Sequence, residues 1–151
     1  MAKLIDGKAI AAQYREKIKN EVEALSARGV QTGLAVVIVG DDSASKTYVA
    51  NKKKACAAAG IRSFEYALPA ETEQAELLAT LNADSNVNGI LVQLPLPKHI
   101  DEKTVINAIV PHKDVDAFHP VNVGKIMIGE YDFLPCTPAG IMVLLEESGI
   151  E

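Results

Sequence analysis

The apolar positions change period several times along the chain, and each change marks an element. From residue 7 to 28, Ile10, Tyr14, Ile18, Val22 and Leu25 recur at steps of four and three, the spacing of one helical face, and Gly29 suits the stop. The run GLAVVIVG, residues 33–40, is continuously apolar between two glycines, which predicts a strand buried on both faces. Asp42 and Ser43 suit the cap of a second helix running to about Ala59 and ending at Gly60. Residues 62–68 alternate weakly and predict another strand. AELLATLNA (75–83) predicts a short helix, and GILVQ (89–93) a second buried strand. The LPLP that follows cannot continue a central strand, because proline has no amide hydrogen to donate. Residues 101–109 predict one more short helix, and 113–133 are the least regular part. Thr137 and Pro138 read as an N-cap followed by proline at the first helical position, opening GIMVLLEES.

Strands alternating with helices in this order predict an α/β three-layer sandwich, with a mainly parallel sheet flanked by helices and a single domain spanning residues 1–151. In such sheets ligands bind beyond the carboxyl ends of the strands. That singles out the segment after Val39, and Gln93 with the residues after it.

Composition narrows the function classes. The 151 residues are 48% hydrophobic and 23% charged, an ordinary globular balance. No stretch reaches the roughly 18 uninterrupted apolar residues of a membrane span. MAKLIDGKAI lacks the apolar region of a signal peptide, so a cytoplasmic location is expected. A net charge of −5 argues against binding to a nucleic-acid backbone. Cys56 and Cys136 stand far apart with no CxxC pair, so reduced thiols are expected rather than a disulfide or a metal site. His99, His112 and His119 have no ligand spacing either, and no metal is expected.

The candidate chemistry begins with TYVANKKKACAAAG, residues 47–60. A helix turns about 100° per residue, so with Tyr48 at zero, Ala55, Ala59, Lys52, Ser45, Cys56 and Val49 fall within an arc from about −20° to about +100°. Lys46, Lys53 and Lys54 fall outside it, on the solvent side. One lysine of the run, Lys52, therefore points inward. An ammonium turned inward is costly unless it is paired or gives up its proton, and an amine that gives up its proton is what proton transfer requires. A snorkelling lysine or a structural ion pair explains the position equally well. Tyr48 and Ser45, on earlier turns of the same face, add two hydroxyls. Gln93 closes an apolar strand and must find partners, either the backbone of LPLP or Lys52 and a ligand. In KDVDAFHP, Asp114 and Asp116 are too few for a metal site. A carboxylate there could instead accept two hydrogen bonds from a guanidine-like edge such as that of a pterin or purine, or the pair could be caps and turn residues.

Together these pieces resemble one family: IDGK (5–8), VGDDSASKTYVANKKKAC (39–56), LNADSNVNGILVQLPLP (81–97), KDVDAFHPVNVGK (113–125) and PCTPAGI (135–141). They are similar, in order and over nearly the whole chain, to the catalytic, tetrahydrofolate-binding domain of the bacterial bifunctional methylenetetrahydrofolate dehydrogenase/methenyltetrahydrofolate cyclohydrolases. The resemblance implies NADP-linked interconversion of 5,10-methylene-, 5,10-methenyl- and 10-formyltetrahydrofolate by the full-length family. It implies Lys52 as the catalytic lysine, Tyr48 lining the folate ring, Gln93 bonded to Lys52 and tuning its charge, and Asp116 anchoring the pterin edge. Ser45, Val92 and Leu94 are implied as substrate contacts.

The chain departs from the family pattern in three places. The family's G-R-S-x-x-V-G-x-P and P-G-G-V-G-P runs, which belong to its second, NADP-binding Rossmann domain, do not occur in these residues, and VGDDSAS has a single glycine. NADP binding and dehydrogenase activity are therefore not expected of this chain alone, whereas cyclohydrolase activity stays open. Family members are homodimers largely through that other half, so a monomer is expected here. Ala117 stands where the family has glycine, and residues 75–84 look about one helical turn short. Two alternatives remain. One is a folate-binding module with little or no turnover. The other is a short-chain dehydrogenase, which also uses Tyr-x-x-x-Lys but places a Gly-rich loop before it, and none precedes Tyr48.

Overall fold

A computed structural model describes residues 4–73 and 75–150 of the chain. Three strands, β1 (Gly33–Val39), β2 (Arg62–Leu68) and β3 (Gly89–Val92), form a parallel sheet in the order β2-β1-β3. Val36 of β1 pairs with Glu65 of β2 and Leu91 of β3, and Val37 with Tyr66 and Val92. The helices are α1 (Gly7–Ala27), α2 (Ser43–Ala59), α3 (Ala75–Ala83), α4 (Glu102–Ala108), α5 (Pro120–Ile128) and α6 (Cys136–Glu147), with one 3-10 turn at Pro111–Lys113.

The continuous apolar runs are explained by burial on both faces. Ala35, Val37, Ile90 and Val92 pack to one side against Leu78 of α3 and Val105 of α4. Val36, Ile38 and Leu91 pack to the other side against Val49 of α2. α1 lies against α2 and α6. This is the α/β sandwich that the alternation predicts, with all three strands parallel.

Loop chemistry supports the arrangement. Asp42 caps α2, its Oδ1 accepting from the Ser45 amide at 2.7 Å, and Gly60 ends it in the left-handed region at φ 78°. The buried Lys113 ammonium donates to the carbonyls of Asn82 and Asp84, at 2.8 Å each, at the carboxyl end of α3, where a cation opposes the helix dipole. Gly33 is needed for close approach: its carbonyl accepts from the Asn88 amide at 2.9 Å, and a Cβ on it would fall on the Asn86 carbonyl oxygen. Backbone cannot swing aside as a side chain can. Gly33→Ala is expected to lower stability by about 1–3 kcal/mol, read as a lower denaturant midpoint.

Two segments differ from the sequence expectation. The irregular stretch 113–133 contains α5, hidden because its buried residue is polar, Asn122, while Val121, Val123, Met127 and Ile128 are exposed. Its start signals are unusual: the His119 Nδ1 accepts from the Val121 amide, and Pro120 occupies the first turn. α6 starts at Cys136 behind Pro135, not at Pro138 behind a Thr137 cap. Pro138 then sits within the first turn, whose amides have no acceptor inside the helix, so its missing donor is harmless.

Candidate functional site

The face of α2 that meets the sheet carries the first group. Ser45, Val49, Cys56 and Ala59 are buried, Lys52 is half-buried, and Lys46, Lys53 and Lys54 are exposed. Lys46 pairs with Asp41 and Lys53 with Glu65, both on the surface. Tyr48 and Ala55 lie at the rim of the inward arc and face solvent; Tyr48 is 60% exposed. The Ser45 backbone and side chain both bond Asp42, holding that carboxyl below its ordinary range. Ser45 is thus committed to the start of the helix.

Lys52 meets Gln93 at the carboxyl end of the sheet. Its Nζ donates to Gln93 Oε1 at 3.1 Å, and Gln93 Nε2 donates to the Leu94 carbonyl at 2.8 Å. The Gln93 amide itself donates to the Val37 carbonyl at 2.8 Å, so β1 holds this residue one step past the end of β3. An ammonium can only donate, which fixes which end of the Gln93 amide faces it. Gln93 therefore both ties down the start of LPLP and contacts Lys52. The Lys52 Nζ also stands 5.5 Å from the Tyr48 ring centroid, within cation–π range.

Asp116 completes the group. It is half-buried and lines a small cavity with Val92, Leu94, Glu102 and Phe118. Burial pushes its carboxyl above the ordinary value; the Lys52 charge opposes this, and the Asp114 charge adds to it. Successive strand residues face opposite sides, so Gln93 shares the α2 side with Leu91, while Val92 and Leu94 share the cavity of Asp116. The end of β3 thus lies between the two halves of the site.

Ala117, next to Asp116, has φ 56° and is 1% exposed. A side chain at positive φ is strained by about 1 kcal/mol, and glycine is not. Ala117→Gly is expected to raise stability by about 1 kcal/mol in denaturant unfolding, with Asp116 kept in place.

Asp114 takes the turn role that the sequence left open for it, whereas Asn122 was missed and could have been found. Asp114 and Asn122, 2% and 3% exposed, hold the turn that carries Asp116. The signal was proline at 120 with glycine at 129, which brackets a helix and places Asn122 in its first turn. Glu102 and Phe118 reach the cavity only through the packing of α4 and the turn, and no local pattern announces them.

Fold and site together define a parallel α/β domain that places a lysine–amide pair and a raised carboxyl at the carboxyl end of its sheet, as in domains that bind and transform small molecules. Residues 5–116 match the model of the tetrahydrofolate dehydrogenase/cyclohydrolase catalytic domain. The bifunctional protein FolD of Acetivibrio thermocellus is 61% identical over 153 aligned residues, covering 99% of this chain and 54% of its own length. The crystal structure of the Campylobacter jejuni FolD superposes with a TM-score of 0.94 at 49% identity, covering 98% of this chain and 54% of that one. The Trypanosoma brucei FolD, solved with NADP cofactor and inhibitor, gives 0.93 at 41% identity, covering 99% and 53%. The chain belongs to the FolD family and corresponds to its catalytic domain. It spans about half the length of these relatives.

The residues after β1 do not suit a dinucleotide phosphate. The start of α2, where a pyrophosphate would bind, is taken by the Asp42 carboxylate, with Asp41 beside it. Among the described residues, no three His, Cys, Asp or Glu side chains gather as metal ligands, and no helix is long and apolar enough to cross a membrane.

Proposed function

We propose that the chain is a folate-binding catalytic unit of one-carbon metabolism, which binds reduced folates at Lys52, Tyr48, Gln93 and Asp116 and hydrolyses the 5,10-methenyl bridge to the 10-formyl product. The observation that carries this reading is the Lys52–Gln93 contact at 3.1 Å, with Asp116 close enough to feel the Lys52 charge. A pterin presents a ring N–H and an amino group side by side, which an ionised Asp116 can accept as a pair. Tyr48 supplies an aromatic face beside Lys52 for the folate ring.

In the hydrolysis, the oxygen of water bonds to the bridging carbon while Lys52, in its unprotonated form, takes one proton. The bond from that carbon to N5 then breaks, and Lys52 returns the proton to N5. The one proton left on the added hydroxyl leaves to solvent as the formyl carbonyl forms. Gln93 holds the amine in place throughout. The NADP-linked oxidation that precedes this step in the full-length family is assigned to residues outside the chain, consistent with the acidic start of α2.

The exposure of Tyr48 favours a second reading, a module that binds folate with little turnover. A site open to water loses part of the electrostatic advantage of a closed one. Calorimetric titration with 5-formyltetrahydrofolate, followed by an absorbance assay of 5,10-methenyltetrahydrofolate hydrolysis, separates the two. Saturable one-to-one binding with hydrolysis above the uncatalysed rate supports the catalytic unit, and binding without hydrolysis supports the module. A folded chain that binds no folate overturns both. Sedimentation of the same sample is expected to give a monomer.

A further inference from the structure

We propose that Asp114 is the positioning residue for Asp116: its buried carboxylate closes the turn of residues 114–119 and so sets where the Asp116 carboxylate stands. The inference rests on the reading of Asp116 as the folate anchor. Asp114 Oδ2 accepts from the His119 amide at 2.8 Å and from Asn122 Nδ2 at 2.9 Å, both at the start of α5. Asn122 Nδ2 also donates to the Pro111 carbonyl at 2.9 Å, joining the far side of the turn. The Asp114 carbonyl accepts from the Ala117 amide at 3.2 Å, and the Asp114 backbone bridges Ile90 of β3. One residue thus grips the sheet, the inside of the turn and the helix after it, with Asp116 carried between the grips.

A neutral amide could close the turn nearly as well, since one carbonyl oxygen has lone pairs for both donors. A buried carboxylate is expensive to desolvate, which points to a second task for its charge. Three charged groups face Asp116: Lys52 from α2, Glu102 from α4, and Asp114 from its own segment. β3 and Gln93 contribute none. The Asp114 charge works with burial to keep the proton on Asp116, and the Lys52 charge works against it. Asp114 therefore sets the place of the anchor and adds, after burial, to the rise in the pH at which it ionises.

The test titrates the full chain with 5-formyltetrahydrofolate across pH in four variants: Asp116→Ala, Asp114→Ala, Asp114→Asn and Asn122→Ala. Asp114→Ala is expected to bind at least about tenfold more weakly and Asn122→Ala several-fold more weakly, because the turn loses a grip. Asp114→Asn is expected to recover most of the affinity and to move the acid limb of binding to lower pH, since Asp116 then ionises more readily. A purely structural Asp114 would leave that limb unmoved. Parental affinity in a folded Asp114→Ala, or an acid limb in Asp114→Asn that stays or moves upward, overturns the inference. Should Asp114→Ala not fold, Asp114→Asn and Asn122→Ala decide by the same measures. Unchanged binding in Asp116→Ala would instead remove the folate-anchor reading itself, and this inference with it.

Discussion

Lys52→Gln is expected to slow hydrolysis of 5,10-methenyltetrahydrofolate at least about 100-fold relative to the parent chain, the lower end of what a positioned proton-transfer group contributes. Glutamine is one atom shorter and keeps a hydrogen-bonding tip on the side of Gln93, which the native ammonium meets at 3.1 Å, but it cannot take a proton from water. The loss should fall on turnover while binding of 5-formyltetrahydrofolate changes little. Lys52 is half-buried on a face otherwise made of Val49, Cys56 and Ala59, and without its charge half-buried Asp116 keeps its proton to a higher pH instead of standing as an unpaired carboxylate. The thermal midpoint should therefore hold. Unchanged hydrolysis in a folded Lys52→Gln chain would return Lys52 to a structural role.

Asp116→Ala is expected to weaken folate binding about 100-fold. Two charge-assisted hydrogen bonds are lost, and at roughly 1.5 kcal/mol each they amount to about 3 kcal/mol, or two factors of ten in affinity. Asp116→Asn keeps the shape yet turns an amino group toward the ligand's own donors, so it should be nearly as poor. In the parent, burial raises the Asp116 carboxyl, with Asp114 adding to the rise and Lys52 opposing it. The proton therefore returns to Asp116 at a higher pH than to an ordinary aspartate. Affinity should fall as pH drops through that raised value, and the fall should vanish in Asp116→Ala. Calorimetry across pH checks both. A folded Asp116→Ala chain with parental affinity and the same pH profile would remove the anchor from the site.

Legibility differed sharply between parts of the chain. The two apolar runs that open on Gly33 and Gly89, the cap at Asp42 and the stop at Gly60 were readable because each is a local rule acting on neighbouring residues. The inward direction of Lys52 was readable for the same reason, since helical angle needs only spacing. The same arithmetic erred at the rim: Tyr48 and Ala55 fall inside the inward arc yet face solvent, because spacing gives a direction and says nothing about where the covering layer stops. α5 stayed hidden because its buried contact is an asparagine serving Asp114, and polar residues contribute no apolar period. Ala117 was conspicuous only through the family resemblance. Its positive φ comes from the turn that Asp114 closes, which no propensity specifies.

The sequence by itself determined the element order apart from α5, the parallel α/β class, the single inward lysine of three and, through its motifs, membership of the folate family. These follow from periodicity, capping and turn chemistry, all of which act within a few residues. Only the tertiary structure decided that the Lys52 ammonium lands on Gln93, that Asp116 lies near enough for the Lys52 charge to act on it, and that Asp114 and Asn122 hold the turn between them. Those outcomes depend on how α2, the end of β3 and the turn before α5 are packed around one point. Interactions of this kind join residues far apart in the chain, and each depends on the positions of all the others.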